Sequence, residues 1–272
     1  MGSGIAFTTA QSGYYTRLLD LNADMLEKAR QSHAKWLQQS VEKGRLTPDQ
    51  AQETSERIVY TQDLNEGIAD LIIEAIVEKK EAKVNLFNQL AEINHSETFF
   101  ASNTSSLSIT ELAKGIVHPQ RVAGLHFFNP AHIMKLVEVV AGEQTDPTLV
   151  QTLVDFCASL DKKPVVCKDA PGFIVNRVAR PYYIESLRLA EAGIPLQDID
   201  TAMQAAGFRM GPFALMDLIG NDINFAVSNL VYDQLQQPER LRPSYLQQQL
   251  VEAGNLGVKS GAGYYPYPQK KD

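Results

Sequence analysis

The spacing of apolar positions changes several times along the chain, and each change marks an element. Residues 2–13 read as a short helix, and Thr16–Asp20 (TRLLD) as a buried strand. Two amphipathic helices follow, one over about 22–44 and one opening at Thr47-Pro48. Asp70–Val77 (DLIIEAIV) is a near-continuous apolar run, the pattern of a parallel strand covered on both faces. Residues 79–93 are helical by period, Thr98–Ser102 (TFFAS) is a strand, and Ser108-x-x-Glu111 predicts a capping box for a short helix. Arg121–Phe127, Leu136–Val140 and Pro164–Lys168 read as further strands. Asp146-Pro147 starts a helix between the last two, with an N-cap followed by proline in the first turn.

The pattern shifts at Ala170-Pro171-Gly172. Beyond it the period is helical, with segments over 173–192, near 196–206, from Pro212 and over about 244–253. Strands alternating with helices predict an α/β fold, a doubly wound parallel sheet with later strands added. The expected division is a domain over 1–168, with a helical projection at about 22–56, and an all-α domain over 169–272.

Composition narrows the function classes. The 272 residues are 44% hydrophobic, with a net charge of −7. That balance argues against a general binder of nucleic acid or anionic membrane, and a polyanionic ligand would need local basic residues. No apolar run approaches bilayer-spanning length, and the N-terminus carries no basic, apolar signal segment. Two cysteines, Cys157 and Cys167, are too few for a disulfide scaffold. They are expected as two buried thiols of a protein from a reducing cytoplasm.

Two groups of residues suggest chemistry. A dinucleotide site needs a strand, a glycine turn and a helix whose N-terminus faces the pyrophosphate. The sequence opens Met1-Gly2-Ser3-Gly4-Ile5-Ala6, directly into a helix, and Asp20 closes the next strand where an acid would accept ribose hydroxyls. Taken alone, these are ordinary turn residues. His126 ends an apolar strand, where doubly wound sheets place ligands, and histidine titrates near neutrality as proton transfer requires. Glu138 lies on the following strand, and pairing of the two strands would set its carboxylate against the imidazole. A lone histidine on an apolar strand is more often a core residue. His126 and His132 lack a nearby third ligand, so no metal site is expected.

Four segments decide between these readings. Asn103-Thr104-Ser105-Ser106-Leu107, Gly124-Leu125-His126-Phe127-Phe128-Asn129-Pro130, Met134-Lys135-Leu136-Val137-Glu138 and Pro171-Gly172-Phe173-Ile174-Val175-Asn176-Arg177 resemble the signature segments of 3-hydroxyacyl-CoA dehydrogenases. The resemblance runs in order, with the family's spacing, across essentially all of the chain. It implies NAD as cofactor and (S)-3-hydroxyacyl-CoA/3-oxoacyl-CoA as the substrate pair. The family's glycine loop reads G-x-G-x-M-G-x-G-I-A, so Met1 matches the methionine before its third glycine. The strand and the first two glycines are absent, as if an internal methionine stood as the start. Such a chain is expected to bind NAD poorly or to fold poorly.

By the same resemblance the cofactor residues are Gly2, Asp20, Glu78, Lys83, Asn103 and Lys259. On residue pattern alone, Glu78 and Lys83 read as an exposed helical ion pair. His126 would be the base and then the acid, with Glu138 supporting it. Ser105 and Asn176 would hold the reacting oxygen and the neighbouring carbonyl, with Asn129 in the same network. Read singly, Ser105 is also a helix cap and Asn176 a polar position early in a helix. The helix bearing Lys35, Trp36 and Lys43 resembles the family's CoA-contacting antenna, where Lys43 would meet phosphate or remain solvated. The helical domain resembles a dimerisation module, so a homodimer is expected.

Asn176–Tyr183 further resembles the 3-hydroxyadipyl-CoA dehydrogenases of phenylacetate breakdown. Arg180, one turn after Asn176 on the same helical face, is expected to clamp a distal substrate carboxylate. An intersubunit ion pair or a CoA phosphate contact are its alternatives. Two other functions stand beside the leading one: a related 3-hydroxyacid or sugar-acid dehydrogenase, and a cofactor-incompetent fragment or scaffold.

Overall fold

The structure is a computed structural model and describes residues 1–268. Two compact units divide between Asp169 and Ala170. That is one residue past the expected boundary, because the Asp169 carboxylate accepts hydrogen bonds from Ser108 Oγ and the Thr110 N–H of the first unit.

The first unit runs α1 (Gly2–Gln11), β1 (Thr16–Leu19), α2 (Ala23–Glu42), α3 (Pro48–Glu56), β2 (Ile58–Thr61), β3 (Leu71–Glu74), α4 (Lys80–Ile93), β4 (Phe99–Ser102), α5 (Ile109–Ala113), β5 (Val122–Phe127), β6 (Leu136–Ala141), α6 (Pro147–Ser159) and β7 (Lys163–Lys168). Side-chain oxygens of Asn22, Thr47, Ser108 and Asp146 accept first-turn N–H groups of α2, α3, α5 and α6. The reciprocal capping box forms at Thr47 and Gln50, whereas at Ser108 the serine oxygen accepts the Glu111 N–H. Strand β2 was not expected. Arg57 closes α3 in helical geometry and the ladder begins at the next residue, so no turn signal separates helix from strand.

The strands form two groups. β1 and β2 are a parallel pair, while β3-β4-β5-β6-β7 is a second sheet, parallel throughout except for the antiparallel step from β5 to β6. A methyl group placed on Gly2 would lie 3.7 Å from Ala75 Cβ and 4.0 Å from a Leu18 methyl. Helix α1 therefore starts beside the C-terminal ends of β1 and β3. The facing edges of those two strands are not hydrogen-bonded to each other, and Leu71, Ile72 and Ile73 are only half-buried. The run expected as a strand over 70–77 pairs only as far as Glu74, because its carboxylate takes the Ile76 N–H in a turn.

On the other side the sheet is well covered. Leu149, Leu153 and Cys157 recur every fourth residue of α6, and all are fully buried against Leu125, Val137 and Val139. Burial of each leucine stabilises the unit by roughly 1.5–3 kcal/mol. Cys167 is only half-buried, which corrects the expectation of two buried thiols.

The second unit holds α7 (Val175–Glu191), α8 (Leu196–Ala205), α9 (Pro212–Ile219), α10 (Asn221–Gln234) and α11 (Tyr245–Glu252). Helix α10 was not expected as a separate element. Gly220 at φ +104° breaks the chain between α9 and α10, a conformation that side-chain-bearing residues rarely adopt. Tyr183, Leu187, Ile199, Phe213 and Met216 form the core. Two acidic residues organise the rest. Asp200 of α8 accepts the N–H groups of Phe213 and Ala214 and so caps α9 from outside. Asp217, fully buried, accepts Asn221 Nδ2 at 2.7 Å and, at 3.0 Å each, the N–H groups of Tyr264 and Tyr265 and the Tyr267 hydroxyl. The C-terminal segment is thereby fastened to α9. Asp217→Ala leaves two backbone donors without an acceptor and is expected to destabilise the second unit by about 3 kcal/mol in urea unfolding. A loss below about 1 kcal/mol would remove this fastening role.

Candidate active site

In the antiparallel pairing of β5 with β6, His126 lies directly opposite Glu138. Side chains of such a pair project to the same face, and His126 Nδ1 sits 2.7 Å from Glu138 Oε2. The carboxylate only accepts, so the ring donates from Nδ1–H, which leaves Nε2 as the basic nitrogen. Both residues are buried, His126 with 6% and Glu138 with 1% of their surface exposed. The flanking Leu125 and Phe127 point the other way into the core, as strand alternation requires. Phe128 packs on the imidazole at a ring separation of 4.6 Å.

A second network builds the turn that carries Ser105. Strand β4 pairs with β5 through Ser102 and Gly124, so the chain beyond Ser102 emerges at the same sheet end as His126. Asn103 Oδ1 accepts the Phe127 N–H at 2.8 Å and ties that turn to the end of β5. Glu78 Oε1 then accepts Thr104 Oγ1, the Ser105 N–H and Ser106 Oγ at 2.5, 3.0 and 2.7 Å. The carboxylate is held in turn by Lys83, whose Nζ lies 3.1 Å from Glu78 and 2.6 Å from Glu74. Glu74 completes the network by accepting Ser102 Oγ at 2.6 Å. Burial by itself raises the Glu78 pKa, but the hydrogen bonds from Thr104 and Ser106 and the Lys83 ammonium outweigh it and hold the group below its ordinary value.

This arrangement corrects one expectation. Lys83 is 1% exposed with its ammonium taken up by two carboxylates, so it is not half of an exposed helical pair. Through Glu78 it supports the turn bearing Ser105. Glu74 and Thr104 were missed, although the acid closing the apolar run DLIIE was a visible signal. Such a residue, 2% exposed, must find a partner.

Gly2 is the first residue of α1. Helix α1 has no side-chain N-cap, so its first-turn N–H groups remain donors beside the ends of β1 and β3. Asp20 follows β1, with Oδ1 accepting the Asn22 N–H. An uncapped helix start beside an acid at a strand end fits the pyrophosphate and ribose of NAD. Helix α2 is fixed to this region by His33. Its ring bonds Tyr60 Oη at 2.7 Å and the Ser3 carbonyl at 2.9 Å, while Trp36 stacks on His132 at 4.0 Å. Asn129 and Lys43 are exposed, Lys43 at the C-cap of α2.

Asn176, Arg180 and Lys259 belong to the second unit. Lys259 pairs with Asp222 at 2.6 Å. Arg180 is 3% exposed and donates to the carbonyls of Asn176 and Asn224 and to Ser228 Oγ. This corrects the expected carboxylate clamp: the guanidinium is spent inside the helix packing.

The sequence profile for the 3-hydroxyacyl-CoA dehydrogenase NAD binding domain matches residues 1–170, and that for the C-terminal domain of the same family matches 172–267. The chain is 46% identical to the 3-hydroxyadipyl-CoA dehydrogenase of Escherichia coli K12, over all of this chain but 58% of that protein's length. It is 41% identical to the mitochondrial hydroxyacyl-coenzyme A dehydrogenase of Rattus norvegicus, covering 98% of this chain and 88% of the rat protein. The crystal structure of (S)-3-hydroxybutyryl-CoA dehydrogenase from Ralstonia eutropha superposes with a TM-score of 0.94 at 34% identity, covering 99% of this chain and 96% of that one.

The Glu78 network makes a pH-dependent prediction. A carboxyl whose folded pKa lies below its ordinary 4.5 contributes stability above that value and loses it as pH falls through the folded pKa. Glu78→Gln is therefore expected to be less stable than the parent at neutral pH, with the gap narrowing below pH 4.5 in urea unfolding. A gap independent of pH would contradict the charge-based account of this turn.

Proposed function

The chain belongs to the 3-hydroxyacyl-CoA dehydrogenase family, and from that premise we propose that it interconverts (S)-3-hydroxyacyl-CoA and 3-oxoacyl-CoA. The observation that carries this reading is the buried His126–Glu138 pair at a sheet end, next to the turn that bears Ser105. Bound NAD supplies the hydride acceptor. The first turn of α1 at Gly2 would hold its pyrophosphate and Asp20 its ribose. Glu78 and Asn103 would line the nicotinamide side, and Lys259 is carried along as a cofactor residue of the second unit.

The chain's own residues handle the proton and the substrate. The C3 hydroxyl proton goes to His126 Nε2 as the C3–H bond breaks, and Glu138 stabilises the imidazolium that results. In the reverse direction the same nitrogen returns the proton. Ser105 Oγ would donate to the C3 oxygen and the Asn176 amide to the thioester carbonyl, with Asn129 supporting them. Holding both oxygens fixes the orientation of the reacting carbon. Lys43 is suited to a CoA phosphate.

Three finer points belong to the same proposal. The substrate is 3-hydroxyadipyl-CoA in phenylacetate breakdown, a reading supported by the Asn176–Tyr183 segment and by the name of the 46%-identical relative. Any receptor for its distal carboxylate is a residue other than Arg180. The protein is a homodimer built on the second unit, whose exposed Val178, Leu218 and Ile223 suit an interface. It is cytoplasmic. Its two cysteines are free, and among the described residues no helix is long and apolar enough to cross a membrane.

His126→Ala is expected to reduce kcat by about 10²–10⁴-fold in NAD-coupled oxidation of (S)-3-hydroxybutyryl-CoA, with the NADH dissociation constant little changed. Glu138→Gln should fall between that variant and the parent. Near-parental turnover in His126→Ala would end the assignment. For the assembly, sedimentation at micromolar concentration is expected to give the mass of two chains, and a single-chain mass would remove the dimer.

A further inference from the structure

Arg180 is a cation buried without a carboxylate among its hydrogen-bonded partners. Its Nε donates to the Asn176 carbonyl at 3.0 Å, and its Nη1 donates to the Asn224 carbonyl at 3.1 Å and to Ser228 Oγ at 2.8 Å. Tyr183 offers its ring face at 4.9 Å from the guanidinium carbon. Burial pushes the pKa of Arg180 down to about 10, with Tyr183 opposing the shift. An ion in such surroundings is costly, and removing its partners costs more still.

The adjoining chain explains what the guanidinium holds. Pro181 lies inside α7, where its ring has no N–H to donate and crowds the carbonyl of Arg177 four residues back. The turn bearing Asn176 is thus the part of α7 that its own backbone ladder supports least. Two contacts replace that support. At the lead-in, Gly172 (φ +71°) brings the backbone so close that an added methyl would lie 3.0 Å from both the Arg177 nitrogen and a Val231 methyl of α10. At the other end of the turn, Arg180 reaches from the Asn176 carbonyl to α10. Asn224, one of its partners, is itself anchored, since its side-chain Oδ1 accepts Gln247 Nε2 of α11.

We propose that Arg180 is a positioning residue for Asn176, fixing the proline-weakened first turn of α7 onto α10 so that the Asn176 amide keeps one orientation. The inference rests on the substrate-holding role assigned to Asn176 above. It also replaces the carboxylate clamp with a role that is indifferent to what the acyl chain carries at its far end.

The test is a double-mutant cycle joined to hydrogen–deuterium exchange. Arg180→Met keeps the length and removes the bonds, while Ser228→Ala removes one anchor and leaves the cation in place. Arg180→Met is expected to lower kcat by about 10- to 100-fold on (S)-3-hydroxybutyryl-CoA, with KM for NAD unchanged. Ser228→Ala should move kcat in the same direction by less. Adding Arg180→Met to Asn176→Ala should cost little further, because the first residue acts through the second. Exchange in the peptide over 174–182 should quicken in both single variants, while peptides of α8 and α11 keep the parental rate.

Additive losses in the cycle would overturn the positioning role, and unchanged exchange over 174–182 in Ser228→Ala would overturn it even if Arg180→Met fails to fold. A loss confined to 3-hydroxyadipyl-CoA, with 3-hydroxybutyryl-CoA unaffected, would restore the clamp and also overturn it. If Asn176→Ala retains parental kinetics, the substrate-holding role falls and takes this inference with it, which separates the two failures.

Discussion

The antiparallel step between β5 and β6 is the constraint on which the site depends. Every other pairing in the five-stranded sheet is parallel. Parallel neighbours would carry successive strand ends away from one another's beginnings. The reversal instead sets His126 opposite Glu138 across a ladder held by Gly124–Phe127 and Val137–Val140. A slip of one residue would send Glu138 to the opposite face and His126 would lose its acceptor. The apolar neighbours forbid that slip, because Val137 and Val139 fill the face packed under α6. Core packing on one side of the sheet thus fixes the His126–Glu138 contact on the other.

The turn bearing Ser105 follows a related logic with charge in place of packing. One ammonium, Lys83, serves two carboxylates, and each carboxylate has a different duty. Glu74 anchors the ion inside the unit through Ser102 and the turn after β3. Glu78 is left with an oxygen that gathers three consecutive residues of the turn. Buried ion pairs are weak evidence for stability, since desolvation offsets most of the attraction. Their value here is geometric: an unpaired Glu78 would leave the Thr104–Ser106 donors to water and the turn to its own flexibility.

Much of this was legible in the residues. β-Branched and apolar runs bounded by polar caps marked β4, β5 and β6, and the spacing of His126 and Glu138 already suited paired strands. Other parts were not, for identifiable reasons. Strand β2 follows α3 with no turn residue between them, and α10 follows α9 across the single glycine at 220, so periodicity alone merges each with its neighbour. Lys83 was read as exposed because lysine on helices is usually solvated, and Arg180 as a clamp because a guanidinium without a local partner suggests an external anion. What buries them is a partner the local pattern cannot show: a carboxylate from the preceding strand for Lys83, and groups 44 and 48 residues away for Arg180. The four signature segments identified the family. The helix packing corrected the reading of Arg180, which lies just beyond the last of them.

The central claim is that Glu138 holds His126 in the tautomer that presents Nε2 as the base. Long-range ¹H–¹⁵N correlation of the His126 ring in ¹⁵N-labelled protein, at a pH where the ring is neutral, reads that tautomer without relying on turnover. The account predicts a protonated, pyrrole-like Nδ1 and an unprotonated, pyridine-like Nε2, the reverse of the tautomer that free imidazole side chains favour. A neutral ring carrying its proton on Nε2 would contradict the account, because a nitrogen already protonated cannot take the proton of the substrate hydroxyl.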